Sequence, residues 1–134
     1  MGEALILETT FLIDLERELA RKTKGPAQEF LEARPGARLH IPYTVAGELA
    51  AGTSLSDRAR WEDFLSPFHL LEVHAETAWQ YGQIYRYLSD HGLLIGTNDL
   101  WIAATALAYR ISLATRNRKH FGRVPGLMLA DYGS

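Results

Sequence analysis

Three carboxylates far apart in the chain stand where chemistry could be done: Glu8, Glu48 and Asp99. Glu8 directly follows the apolar run Ala4–Leu7, so it falls at the carboxyl end of a buried strand and beside the start of the next helix. A solvated loop acid, favoured by the helix dipole, would sit there equally well. Glu48 lies in Val45-Ala46-Gly47-Glu48-Leu49, three residues from Val45 and on or beside an apolar helical stripe. There a carboxylate needs a cation or a polar partner, or must reach solvent from the stripe's edge. Asp99, in Gly96-Thr97-Asn98-Asp99, opens a helix, where aspartate is also ordinary first-turn chemistry. Together the three mean more than each alone. Convergent carboxylates repel unless a cation neutralises them, and their oxygens suit hard cations such as Mg²⁺ or Mn²⁺. A bound Mg²⁺ can activate water and stabilise phosphodiester oxygens.

A second cluster, Thr115-Arg116-Asn117-Arg118-Lys119-His120, supplies three cations, an amide, a hydroxyl and an imidazole. Arg116, Arg118 and Lys119 are candidates for contact with an RNA backbone, or else form a solvated basic turn. Arg17, Arg21, Lys22 and Lys24 read as a solvated helix face. His40, His69, His74 and His91 lack metal-ligand spacing, and Trp61, Trp79 and Trp101 read as core or interface residues. Neither a nucleophile elbow nor a phosphate-binding Gly-x-x-x-x-Gly-Lys loop occurs.

The elements that must position these residues alternate between strand and helix. Ala4–Leu7 is a buried strand, and Phe11, Leu12, Leu15 and Leu19 recur at helical spacing, with Thr9 and Thr10 as candidate caps. Gly25-Pro26 opens a helix over residues 26–33. Arg38–Ile41 is a second strand and residues 43–51 a helix. Ser56-Asp57 caps a helix through Leu65, and Phe68–Val73 is a third strand. A long amphipathic helix over residues 75–89 follows, then one over residues 99–109 capped by Asn98. Ile111–Thr115 and Leu127–Leu129 complete the strands. Strands separated by helices predict an α/β fold, a three-layer α/β/α sandwich around a mostly parallel sheet. In such sheets the functional crevice lies beyond the strands' carboxyl ends, where all three acids fall.

Composition narrows the classes. The chain has 134 residues and 15.0 kDa, which predicts a single domain, 1–134, burying about two-thirds of its unfolded surface. Cysteine is absent, which excludes disulfides, zinc-thiolate sites and a cysteine nucleophile, and fits a cytoplasmic location. The formal charge of −2 means that nucleic acid would be held by a local patch rather than by total charge. No apolar run is long enough to span a membrane, and no secretory signal pattern opens the chain.

The residues reached so far resemble a PIN-domain protein, specifically the VapC ribonuclease toxins of VapBC toxin–antitoxin pairs. The likeness covers nearly the whole chain. Its anchors are Leu5–Leu15, Glu48-Leu49-Ala50-Ala51-Gly52, Asn98–Ala104, Leu113–Phe121 and Val124-Pro125-Gly126-Leu127, in the family's order and spacing. It implies an endoribonuclease dependent on Mg²⁺, with Mn²⁺ as a substitute, held inactive by a VapB-like antitoxin and assembled as a homodimer. Glu8 and Asp99 would hold the metal, Glu48 would complete the acidic pocket and orient the attacking water, and Asn117 would bind a metal water or a phosphate oxygen. Thr9 and Thr115 are supporting candidates. The chain departs from the family pattern twice. Glu8 stands where aspartate is usual, one methylene longer, and Asn117 and His120 occupy places where an aspartate often appears. Three carboxylates suit one firmly held Mg²⁺ better than a permanent pair.

Two other functions compete. A non-catalytic PIN-fold module binding RNA or protein is favoured by Glu8. A phosphorylated receiver domain would need adjacent acids after the first strand and a late lysine before a proline, and the chain has neither.

Overall fold

The computed structural model describes residues 2–132. Its centre is β1 (Ala4–Leu7), in which Leu5, Ile6 and Leu7 are fully buried. A run apolar on both faces can be satisfied only between two layers of helix. The other strands are β2 (Arg38–Pro42), β3 (His69–Leu71), β4 (Ser112–Ala114) and β5 (Leu129–Ala130). They form one sheet in the order β3-β2-β1-β4-β5, and every neighbouring pair is parallel.

The connections are helical: α1 (Thr9–Arg21) and α2 (Pro26–Glu32), α3 (Tyr43–Ala51) and α4 (Arg58–Leu65), then α5 (Ala75–Asp90) and α6 (Thr97–Tyr109). A four-residue helix, α7 (Arg118–Phe121), lies between β4 and β5. The chain steps outward from β1 to β3 and then returns across the sheet to β4. With right-handed crossovers, that reversal puts α5 and α6 on the face opposite α1 and α2, which makes the three layers. It also brings the carboxyl ends of β1 and β4 side by side, because Leu7 pairs with Ala114. The residues that follow them, Glu8 and Thr115, are therefore neighbours.

Several local expectations are corrected. The cap of α1 is Glu8 rather than Thr9 or Thr10: its carboxylate accepts the Thr10 backbone N–H. Helix α6 starts at Thr97 with Gly96 as its cap, which frees the Asn98 side chain for a distant partner. β5 is Leu129–Ala130 instead of Leu127–Leu129, because the Pro125-Gly126 turn, with Gly126 at φ 78°, delays pairing. β3 and β4 are shorter than Phe68–Val73 and Ile111–Thr115. The basic turn after β4 contains α7, anchored by the buried Phe121. Among the described residues no helix is long and apolar enough to cross a membrane.

Candidate active site

Beyond the carboxyl ends of β1 and β4, the elements converge on a polar pocket. Glu8 is its floor, with only 3% of its surface exposed. One carboxylate oxygen, Oε2, accepts the Thr10 backbone N–H at 2.8 Å and the Thr10 hydroxyl at 2.7 Å. The other, Oε1, accepts the Thr115 hydroxyl at 2.7 Å. Burial pushes the Glu8 carboxyl above its ordinary pKa, against the pull of the Thr10 and Thr115 donors, and the Asp99 charge adds to the rise.

Glu48, half-buried on α3, is held from two sides. Thr9 donates its hydroxyl to Oε1 at 2.6 Å and Asn98 its amide to Oε2 at 3.2 Å. Asp99 sits in the first turn of α6, where the helix dipole favours a negative charge. Its Oδ2 lies 3.1 Å from His120 Nδ1. The same ring nitrogen is 3.2 Å from Asn117 Nδ2, so the tautomer that donates to Asp99 cannot accept from Asn117. Asn117 caps α7, and its backbone N–H bonds Thr115 Oγ1 at 2.9 Å.

The fold therefore gathers Glu8, Glu48, Asp99 and Asn117 at one edge of the sheet. The basic candidates are placed differently. Arg116 is ion-paired with Asp14 at 3.2 Å, and Arg118 is paired with Asp131. Lys119 is exposed and has no ion pair among the described residues. Asp14 and Tyr132 had no role in the sequence reading, while Thr10 entered it only as a candidate cap and His120 only within the basic cluster and at a place where an aspartate often appears. Tyr132 is buried and donates its hydroxyl to Asp14 Oδ2 at 2.9 Å, and burial with this bond pushes its pKa above the ordinary tyrosine value.

Among the described residues no group of three or more His, Asp or Glu is placed to hold a metal ion. The donor chemistry nevertheless suits Mg²⁺, which takes one or two carboxylates and keeps several waters or phosphate oxygens. Glu8 Oε1 accepts a single hydrogen bond, and Asp99 Oδ1 accepts none among the described residues. Each retains a free lone pair.

Comparisons with known proteins agree with this fold. The family model of the PIN domain matches residues 5–127. Ribonuclease VapC2 of Rickettsia felis is 36% identical over 97 residues, which cover 69% of this chain and 72% of that protein. Ribonuclease VapC1 of Haemophilus influenzae strain R2866 is 28% identical over 134 residues, 95% of this chain and 96% of that one. Among solved structures, VapBC2 from Rickettsia felis bound to a promoter DNA fragment superposes with a TM-score of 0.81 at 29% identity, covering 97% and 99% of the two chains. VapBC-1 from nontypeable Haemophilus influenzae superposes with a TM-score of 0.78 at 26% identity, covering 96% and 97%.

Proposed function

Because the chain belongs to the PIN-domain family, we propose that it is the VapC-type toxin of a VapBC pair, a Mg²⁺-dependent endoribonuclease that hydrolyses RNA phosphodiester bonds. The observation that carries this reading is the meeting of Glu8, Glu48 and Asp99 at the carboxyl ends of β1 and β4, inside the fold of ribonuclease relatives. Glu8 and Asp99 would hold the metal. When bound, Mg²⁺ supplies water activation and neutralises charge on the phosphate oxygens. Glu48, fixed between Thr9 and Asn98, takes the proton of the attacking water. Asn117 binds a phosphate oxygen, and Lys119, with Arg116 and Arg118 beside it, holds the RNA backbone.

Relatives crystallised as VapBC complexes support a VapB-like antitoxin as partner. The chain acts as a homodimer in the cytoplasm, and Mn²⁺ substitutes for Mg²⁺.

The test is cleavage of a mixed RNA pool with Mg²⁺ or Mn²⁺ against a chelator control, after removal of any antitoxin. Glu8→Asp retains or increases cleavage and Glu8→Gln nearly abolishes it, since small misplacements of a ligand cost large factors in rate. Full activity in Glu8→Gln refutes the ligand assignment. One observation favours a second reading: the Glu8 carboxylate already accepts three hydrogen bonds as a helix cap. If only Glu8→Asp cleaves RNA, the natural chain is a PIN-fold binding module weakened at this position.

A further inference from the structure

Beside the acidic pocket, α1, the α1–α2 turn and the loop after β4 enclose an open groove of about 490 Å³. Its walls carry Arg17, Arg21, Lys24 and Arg116, with Asp14 and Glu18 as the acids. Both acids are occupied within the protein. Asp14 is paired with Arg116 and bonded by Tyr132. Glu18 accepts the backbone N–H groups of Gly25, Ala27 and Gln28 and the Gln28 side-chain amide. Arg17 and Arg21 are exposed and have no ion pair among the described residues. By formal charge the lining carries four cations against two acids although the chain as a whole carries −2, and Lys24 is paired with Glu32 outside the groove at 2.9 Å. Read along the sequence, the α1 cations form a solvated helix face; the fold sets them beside Arg116, which lies far along the chain.

The groove leads to the site at its Arg116 end. Arg116 follows Thr115, whose hydroxyl bonds Glu8. Arg17 also lines a smaller cleft of about 200 Å³ that includes Glu48. The rest of the groove wall is Thr23, Gly25 and Pro26, with none of the large apolar or aromatic side chains that anchor a protein interface. Separated arginines around a polar floor are what a sugar-phosphate backbone requires.

We propose that this groove binds the phosphodiester backbone of single-stranded RNA flanking the cleaved bond, with Arg17 and Arg21 as phosphate contacts. The assignment rests on the ribonuclease reading above. Its test is binding without cleavage. Full-length protein free of antitoxin is titrated onto a short unstructured fluorescent oligoribonucleotide, in chelator, across a salt series read by anisotropy. Each phosphate contact on a single strand contributes about −0.7 to the slope of log affinity against log salt. Replacing both Arg17 and Arg21 by alanine makes the slope shallower by about 1.4 and weakens binding roughly tenfold or more at low salt. The double lysine variant keeps most of the slope, and Arg86→Ala on α5 changes neither quantity. An unchanged slope in the double alanine variant overturns the proposal, as does a wild type that shows no salt-dependent RNA binding. Unchanged RNA binding with a weakened hold on a coexpressed antitoxin assigns the groove to a protein and overturns it too. Because the readout involves neither metal nor cleavage, RNA bound here with the expected slope but left uncut in the Mg²⁺ and Mn²⁺ cleavage assay refutes the nuclease reading and leaves the groove standing as an RNA-backbone site.

Discussion

Thr115 is fully buried and serves two neighbours at once: its hydroxyl donates to Glu8 Oε1 at 2.7 Å and accepts the Asn117 N–H at 2.9 Å. Thr115→Val keeps the shape and removes both bonds. A hydrogen bond to a charged acceptor contributes about 1.5–3 kcal/mol and a neutral one about 0.5–1.5 kcal/mol. The expected loss is therefore roughly 2–4 kcal/mol, a large share of the 5–15 kcal/mol typical of a domain. For a chain of this size that is a fall of about 6–15 °C in melting temperature. Thr115→Ser keeps the hydroxyl and loses one methyl, at about 1 kcal/mol. The loss also has a pH signature. Without its Thr115 donor the Glu8 carboxylate is less well supported, so its folded pKa rises further above the ordinary 4.5. A folded value above the unfolded one penalises the ionised carboxylate, so the deficit of the valine variant is full at neutral pH. It shrinks as pH falls through the raised folded value, where the protonated acid no longer needs the donor. Urea unfolding in chelator at about pH 7.5 and about pH 4.5 reads both quantities. A valine variant as stable as wild type, or a deficit identical at the two pH values, refutes the role given to this hydroxyl.

Asp99→Asn removes repulsion against the buried Glu8 while keeping a polar group in the first turn of α6. The metal-free melting temperature should rise by about 2–4 °C, and a fall would make Asp99 chiefly the partner of His120. Tyr132→Phe keeps the ring against Phe11, centroids 4.5 Å apart, and deletes the bond to Asp14. It should cost about 1–2 kcal/mol by urea unfolding, and no cost would show Asp14 to be satisfied by Arg116 alone. His40 has a buried Nδ1 with no partner among the described residues, and burial, with His69 and Arg38 nearby, holds its pKa below 6.5. The unfolded chain takes up a proton that the folded one refuses, so stability falls as pH drops through about 6.5 toward the lower folded value. Unfolding midpoints of His40→Gln should be flatter over that range, and an equally steep fall would place the titration elsewhere.

The sheet was legible because its strands are apolar and its breaks are chemically plain. Leu5, Ile6 and Leu7 make a run apolar on both faces of a strand, and Pro26 after Gly25 suits the first position of a helix. The edge on which the acids lie followed from that order. Their partners did not, since Thr9 reaches Glu48 across 39 positions and Asn98 reaches it across 50. Glutamate is an uncommon cap, so the threonines after it looked the better candidates. Helix α7 is a single turn, capped by Asn117 and anchored by Phe121, too short for periodicity to reveal. The pairing of Arg116 with Asp14 spans 102 positions, and no local pattern announces it.

The bond between Glu8 and Thr115 joins residues 107 positions apart. At about 5–20 residues per second, the ribosome makes them roughly 5–20 s apart. During that interval β1 can pair with β2, only 34 positions away at Leu5 and Leu39, while the edge that β4 will occupy stays open. Glu8 and Glu48 exist early, but the pocket does not, because its roof arrives with α6 and its last donor with Thr115. The acidic pocket thus assembles only after β4 has been made, later than the pairing of β1 with β2.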